Sequence, residues 1–120
     1  MYEGTLKNNK FHGFGKLVTS NITYEGEFVK GKMEGKATVR YLDGKFYEGF
    51  VKDNEKSGEG YFEWNNRNHY KGEYLRGKKH GKGVLMRDGT IYDGHFKNGV
   101  MHGKMSIYQQ MGSERINCRV

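Results

Sequence analysis

Apolar and polar positions alternate along this chain with period two, in short bouts that each begin on a tyrosine. Tyr24, Gly26 and Phe28 are separated by Glu25 and Glu27, and Tyr70, Gly72 and Tyr74 by Lys71 and Glu73. Period two is the strand period, since successive side chains on a strand point to opposite faces. A second bout follows each first one: Gly13-Gly15-Leu17, Gly35-Ala37-Val39, Gly58-Gly60-Phe62, Gly81-Gly83-Leu85 and Gly103-Met105-Ile107. Between the bouts lie Asn8-Asn9, Lys30-Gly31, Asp53-Asn54, Arg76-Gly77 and Asn98-Gly99. Every second member is Gly or Asn, which tolerates positive φ, and Asn-Gly favours a type I′ turn. The pattern predicts a β-hairpin in each unit, with further connections at Asp43-Gly44, Asp88-Gly89 and Asn65-Asn66-Arg67-Asn68.

The units repeat. Tyr-x-Gly occurs at Tyr2, Tyr24, Tyr47, Tyr70 and Tyr92, in steps of 22, 23, 23 and 22 residues. Ten residues after each tyrosine comes His12-Gly13, Glu34-Gly35, Ser57-Gly58, His80-Gly81 or His102-Gly103. The expected repeats are 2–23, 24–46, 47–69, 70–91 and 92–112 of a single domain, 1–120. A terminal strand is expected over 113–120, where Ile116, Cys118 and Val120 alternate. Such a strand edge is a template for pairing, so the array is expected to continue in a larger protein or to meet other subunits end to end.

The turn positions also predict a register. They set Tyr2, Tyr47 and Tyr70 opposite Gly15, Gly60 and Gly83, Tyr24 opposite Ala37, Gly26 opposite Gly35, and Phe28 opposite Met33. A glycine weakens a strand, and a ring laid across it restores buried area. Tyr92 falls opposite Met105 on this register, so the last unit is expected to pack differently.

These Tyr-x-Gly and Gly-x-Gly elements, in units of about 23 residues over nearly the whole chain, resemble MORN repeats (membrane occupation and recognition nexus). The departures are Ala37 and Met105 at the second glycine position, and Glu34 and Ser57 where other units carry His. The resemblance implies an all-β fold: an elongated, twisted antiparallel meander of five hairpins, a single-layer sheet with an aromatic-lined groove. It also implies binding of partner proteins or lipids, in some members within cytoskeletal or ciliary assemblies and in others beside enzyme domains.

Composition limits the core. Only 34% of the chain is hydrophobic and 29% is charged, yet aromatics reach 14% and the glycines recur at fixed positions, which opposes disorder. One face is expected to carry Tyr24, Phe28, Tyr47, Tyr70, Tyr74, Tyr92 and Phe96 as a partner-binding groove. A helix with apolar anchors would suit it. The opposite face is more charged, with Glu25–Lys36 and Asp93–Lys104 as expected cross-strand pairs.

The net charge of +7 is concentrated. The hairpin tips carry Lys7, Lys10, Lys30, Lys32, Lys52, Lys56, Arg76, Lys78, Lys79 and Lys97 against Asp53 and Glu55, a net +8; the rest of the chain nets −1. A basic edge of this kind suits an anionic membrane or an acidic protein surface and weakens with salt. Nucleic acid is disfavoured, because the tips lack interleaved aromatics for base stacking.

No catalytic constellation emerges. His12, His80 and His102 recur at one repeat position, so they point in parallel rather than converging on a metal; only His95 faces another, His102. No cofactor is implied. Cys118 is the single cysteine, which excludes an internal disulfide and fits a reducing, cytoplasmic setting. There is no long apolar run to span a membrane. The sequence thus favours a non-enzymatic scaffold that binds a partner peptide or helix in the groove. A membrane-apposed module using the basic edge, and an accessory region of a larger enzyme, stay open.

Overall fold

The computed structural model describes residues 1–109 and the backbone of 115–119. Its strands run β1 (Tyr2–Lys7), β2 (Lys10–Val18), β3 (Ile22–Val29), β4 (Lys32–Tyr41), β5 (Phe46–Lys52) and β6 (Glu55–Asn65). They continue as β7 (Asn68–Leu75), β8 (Lys78–Arg87), β9 (Thr90–Lys97), β10 (Val100–Gln109) and β11 (Arg115–Arg119). All 11 lie in one antiparallel sheet in chain order, and the molecule measures 55 × 24 × 17 Å. The expected hairpin turns form: Asn8, Asn9, Lys30, Asp53, Asn54, Arg76 and Asn98 take positive φ, as do Gly31, Gly77 and Gly99. Positive φ at both central residues is the type I′ signature, whose twist matches that of the flanking strands.

The register departs from the one expected. Phe28 does pair with Met33, but Gly26 then pairs with Ala37 and Tyr24 with Val39. A bulge sets one residue of β3, Glu27, against Glu34, Gly35 and Lys36 of β4. Gly35 supplies the bend at φ 85°, where a side chain is strained, and Gly13, Gly58, Gly81 and Gly103 take the same conformation in the other units. The displacement is two residues, so every side chain keeps its expected face while its partner changes. Tyr2, Tyr47, Tyr70 and Tyr92 accordingly pair with Leu17, Phe62, Leu85 and Ile107.

This register creates continuous rows across the sheet. Gly4, Gly15, Gly26, Ala37, Gly49, Gly60, Gly72, Gly83, Gly94 and Met105 are neighbours from strand to strand. The tyrosine rings lie over this trench. A Cβ on Gly15 would stand 2.6 Å from the Tyr2 hydroxyl, and one on Gly26 2.9 Å from that of Tyr24. Each hydroxyl continues past the glycines to donate to a carbonyl three residues on: Tyr2 to Thr5 at 2.9 Å, Tyr24 to Glu27 at 2.9 Å, Tyr47 to Phe50 at 2.7 Å and Tyr70 to Glu73 at 2.9 Å. These carbonyls sit at the bulges, where the ladder is interrupted. The glycines therefore make room for the ring, and the bulge frees the acceptor for its hydroxyl. The last unit does pack differently: over Gly94 lies the thioether of Met105, which is fully buried.

Tyr24, Tyr47 and Tyr70 are 0% exposed, although a single sheet has no second layer to cover them. Burial this complete requires the sheet to coil around its own rings. Phe28, Val51, Tyr74 and Phe96 extend the core on one flank, and Val39, Phe62 and Leu85 on the other. Edge-to-face contacts join Tyr24 to Phe28 at 5.0 Å, Tyr70 to Tyr74 at 5.3 Å and Tyr70 to Phe96 at 5.2 Å.

The expected ion pairs on the opposite face do not form. Glu25 lies between Lys16 and Thr38, and Asp93 between Val84 and Ser106, because the bulge shifts each partner by two.

Burial also makes the core pH-sensitive. It is the first cause that pushes the Tyr24 and Tyr70 phenols from 10.0 up to about 12, and it raises Tyr47 and Tyr74 further. An unfolded chain releases these protons near pH 10, whereas the fold holds them, so their contribution is complete below pH 10. It is lost as pH rises toward the folded values. The melting temperature is expected to hold up to pH 10 and to fall steeply by about pH 12, with the last four of the nine tyrosinates appearing together with unfolding. Ionisation of all nine tyrosines in a chain that stays folded would show that the buried rings are accessible.

Candidate partner-binding face

The seven groove residues expected from the sequence share one face, but they do not share one role. Tyr24, Phe28, Tyr47, Tyr70, Tyr74 and Phe96 are buried and form the floor; Tyr92 alone is partly exposed. The side chains within reach from outside are the partly buried residues packed against this floor, among them Tyr2, Phe11, Met33, Tyr41, Trp64 and Met101. Phe11 stacks on Tyr2 at 3.8 Å with planes 9° apart. Tyr41 and Trp64 flank Phe62, at 5.9 and 4.8 Å. The sequence held a signal for part of this rim, a ridge of one residue per repeat: Phe11, Met33 and Met101 each directly precede the bulge dipeptide.

That ridge position reads Phe11, Met33, Lys56, Lys79 and Met101 along the five repeats. In four of the five repeats it faces a core residue: Phe28–Met33, Val51–Lys56, Tyr74–Lys79 and Phe96–Met101 are register pairs. Lys56 and Lys79 therefore do not belong to the outer edge, where their place near the tips had put them. They fold inward over the rings. The Lys56 ammonium lies 4.9 Å from the Phe62 centroid, 5.6 Å from Tyr47 and 5.9 Å from Tyr74. The Lys79 ammonium lies 4.9 Å from Trp64 and 5.5 Å from Tyr70. Ring quadrupoles attract these cations and partly offset the loss of water. Burial pushes both below the ordinary lysine range; for Lys79, Arg87 and Lys56 add to it.

The other eight tip cations, Lys7, Lys10, Lys30, Lys32, Lys52, Arg76, Lys78 and Lys97, are exposed. Their spacing is fixed by backbone bonds between repeats. The amides of Gly31, Asn54, Gly77 and Gly99 donate to the carbonyls of Phe11, Met33, Lys56 and Lys79, at 2.9, 3.2, 2.9 and 2.9 Å. The same bonds tie each basic tip to the ridge of the preceding repeat. On the face opposite the core, Phe14 is 69% exposed, with Phe50 and Val84 also open.

Among the described residues, no three or more His, Cys, Asp or Glu side chains converge to hold a metal. His95 and His102 are register partners, as the turn position predicted. No helix of the described residues is long and apolar enough to cross a membrane.

An open sheet of hairpins, most of them laying a tyrosine over small paired residues and each fastened to the next at its tip, defines a β-repeat protein that grows by adding hairpins along one axis. The MORN repeat model matches residues 2–21, 24–46, 47–69, 70–91 and 92–104, and the chain belongs to the MORN repeat family. It is similar to Alsin of Homo sapiens, 31% identical over 89 residues, a match covering 69% of this chain and 5% of Alsin. Alsin of Mus musculus and of Pan troglodytes match with the same identity and coverage. The chain thus spans a small fraction of the length of these relatives.

Proposed function

We propose that this chain is a non-enzymatic interaction scaffold whose aromatic face seats a peptide or helix of a partner protein. The observation that carries the reading is the division of that face into a sealed floor and an apolar rim. Tyr24, Tyr47 and Tyr70 are consumed by the fold, while Phe11, Met33, Tyr41, Trp64 and Met101 pack on the floor and keep a surface toward solvent. A strip of this kind along a 55 Å molecule matches an extended or helical segment better than a compact small molecule. His12, His80 and His102 recur at one repeat position and lie in parallel, whereas His69 faces Glu63 across β6 and β7. A cytoskeletal or ciliary assembly, where family members occur, is the setting proposed for the scaffold.

The test separates rim from edge. Trp64→Ala combined with Tyr41→Ala is expected to weaken capture of the partner about tenfold or more, the usual effect of removing aromatic anchors. Lys7→Ser, Lys30→Ser and Lys52→Ser together should leave it within about twofold, because rim-remote charges act mainly on association rate. Undiminished capture by a folded rim variant, judged by circular dichroism, would sink the assignment.

The eight exposed tip cations support a second reading, a module apposed to an anionic membrane. Sedimentation with phosphoinositide-containing liposomes at low salt should then pull down the wild type and not the tip variant. The small share of Alsin covered by the match supports a third arrangement, an accessory repeat region within a larger protein.

A further inference from the structure

Lys56 and Lys79 stand out against every equivalent residue. At the same ridge position the other repeats carry Phe11, Met33 and Met101, which serve the core with no charge to desolvate. Methionine would suit the packing at 56 and 79 equally well. Neither ammonium makes an ion pair or hydrogen bond with a described residue; the ion pair found joins Lys45 to Asp43, at 2.7 Å. Between the two cations lie Phe62 and Trp64, 4.8 Å apart, with Lys56 over the first ring and Lys79 over the second. Together with Tyr74, and with Gly77, Lys78 and Gly99 of the hairpin tips, they line a recess of about 300 Å³. Two half-buried positive charges without an ion-pair partner among the described residues cost stability, and an incoming anion would offset that cost.

Resting on the groove reading above, we propose that Lys56 and Lys79 are a clamp for acidic side chains, so that the partner segment is an amphipathic helix bearing carboxylates where it crosses the third and fourth repeats. The rest of the ridge gives the pattern. Phe11, Met33 and Met101 call for apolar partner residues on either side of the two acidic ones. Successive ridge positions are two strand spacings apart, about 9–10 Å. A helix rising about 1.5 Å per residue covers that distance in about six to seven residues. A helix laid along the sheet therefore meets the ridge once per heptad, in the order apolar, apolar, acidic, acidic, apolar or its reverse. A carboxylate is favoured over a lipid headgroup by position. The two ammonium groups lie inward against rings, and a flat membrane would meet the eight outer tip cations first.

The test uses the whole 120-residue chain. A displayed library of amphipathic helices, about 28 to 35 residues long so as to span the ridge, is randomised at the heptad positions facing it. It is selected on the wild type, on Lys56→Met/Lys79→Met and on Lys56→Glu/Lys79→Glu. The methionine variant retains the packing seen at Met33 and Met101 and is checked by circular dichroism. On the wild type, Asp and Glu are expected at two adjacent heptad positions, and replacing them by Asn and Gln should weaken the selected helices about tenfold. The methionine variant should lose that preference and the glutamate variant should select Lys and Arg instead. Helices enriched without acidic residues, or with a preference that survives in the methionine variant, would overturn the clamp and leave the groove reading standing. Enrichment of no helix at all would remove the groove reading and the clamp with it. Binding to phosphatidylinositol bisphosphate vesicles that depends on Lys56 and Lys79, with no acidic preference among helices, would assign the pair to a phosphate headgroup and overturn the carboxylate.

Discussion

Tyr70→Ala is expected to lower stability by about 3–5 kcal/mol, the range for deleting a fully buried aromatic ring. The ring is 0% exposed and touches Tyr74 and Phe96 edge-on, so its loss leaves a hole that a sheet held by its hydrogen-bond ladder cannot close. The hole would also expose the trench of Gly72 and Gly83 and leave the Glu73 carbonyl without its donor. Tyr70→Phe separates these contributions. It keeps the ring and removes only the hydroxyl, for about 1–2 kcal/mol. Urea denaturation of the two variants checks the order. Equal, small losses would mean that the ring is not structural. A consequence follows for binding work: truncating Tyr70 and Tyr74 confuses folding with recognition, whereas Trp64 and Tyr41 on the rim can be removed from an intact sheet.

Gly72→Ala should be nearly as damaging, for the opposite reason. An added Cβ would stand 2.5 Å from the Gly83 Cα and 2.7 Å from the Lys82 carbonyl oxygen, which are backbone atoms that cannot step aside. Forcing a methyl there must part β7 from β8, at about 3 kcal/mol or somewhat more, lowering the melting temperature by roughly 10 °C. Gly83→Ala is the informative comparison. Its Cβ would meet the Tyr70 ring rather than backbone, and the second repeat already accommodates Ala37 at that place. The expected order in thermal melts is therefore wild type, then Gly83→Ala, then Gly72→Ala. Neutral behaviour of Gly72→Ala would contradict the close approach of the two strands.

Much of this architecture was legible in the chain because each rule recurs five times. The Tyr-x-Gly spacing gave the strands, the paired turn residues gave the hairpins, and period two gave the faces. The register was misread because the turn predicts pairing only up to the first irregularity. Gly35 was expected opposite Gly26 in a regular ladder, whereas Gly13, Gly35, Gly58, Gly81 and Gly103 are bulge glycines at positive φ. A period of two cannot detect a slip of two. The burial of Tyr24, Tyr47 and Tyr70 was not legible either, since alternation assigns a face without showing how far a sheet coils around it. For Lys56 and Lys79 the sequence held enough. The pairing of Phe28 with Met33 followed from the turn alone, and carrying it to Val51 and Tyr74 places both lysines on the aromatic face. Their nearness to the hairpin tips obscured that.

The chain has one tryptophan, and Trp64 lies on the rim between the two inward lysines. Its fluorescence therefore reports the proposed site with no background. On adding a helix selected for binding, Trp64 emission is expected to shift to the blue and to be protected from acrylamide quenching, with a higher helix concentration needed for both effects in the Tyr41→Ala and Lys79→Met variants as binding weakens. A helix that binds the folded chain while Trp64 stays as quenchable as in the free protein would place recognition elsewhere and contradict the account.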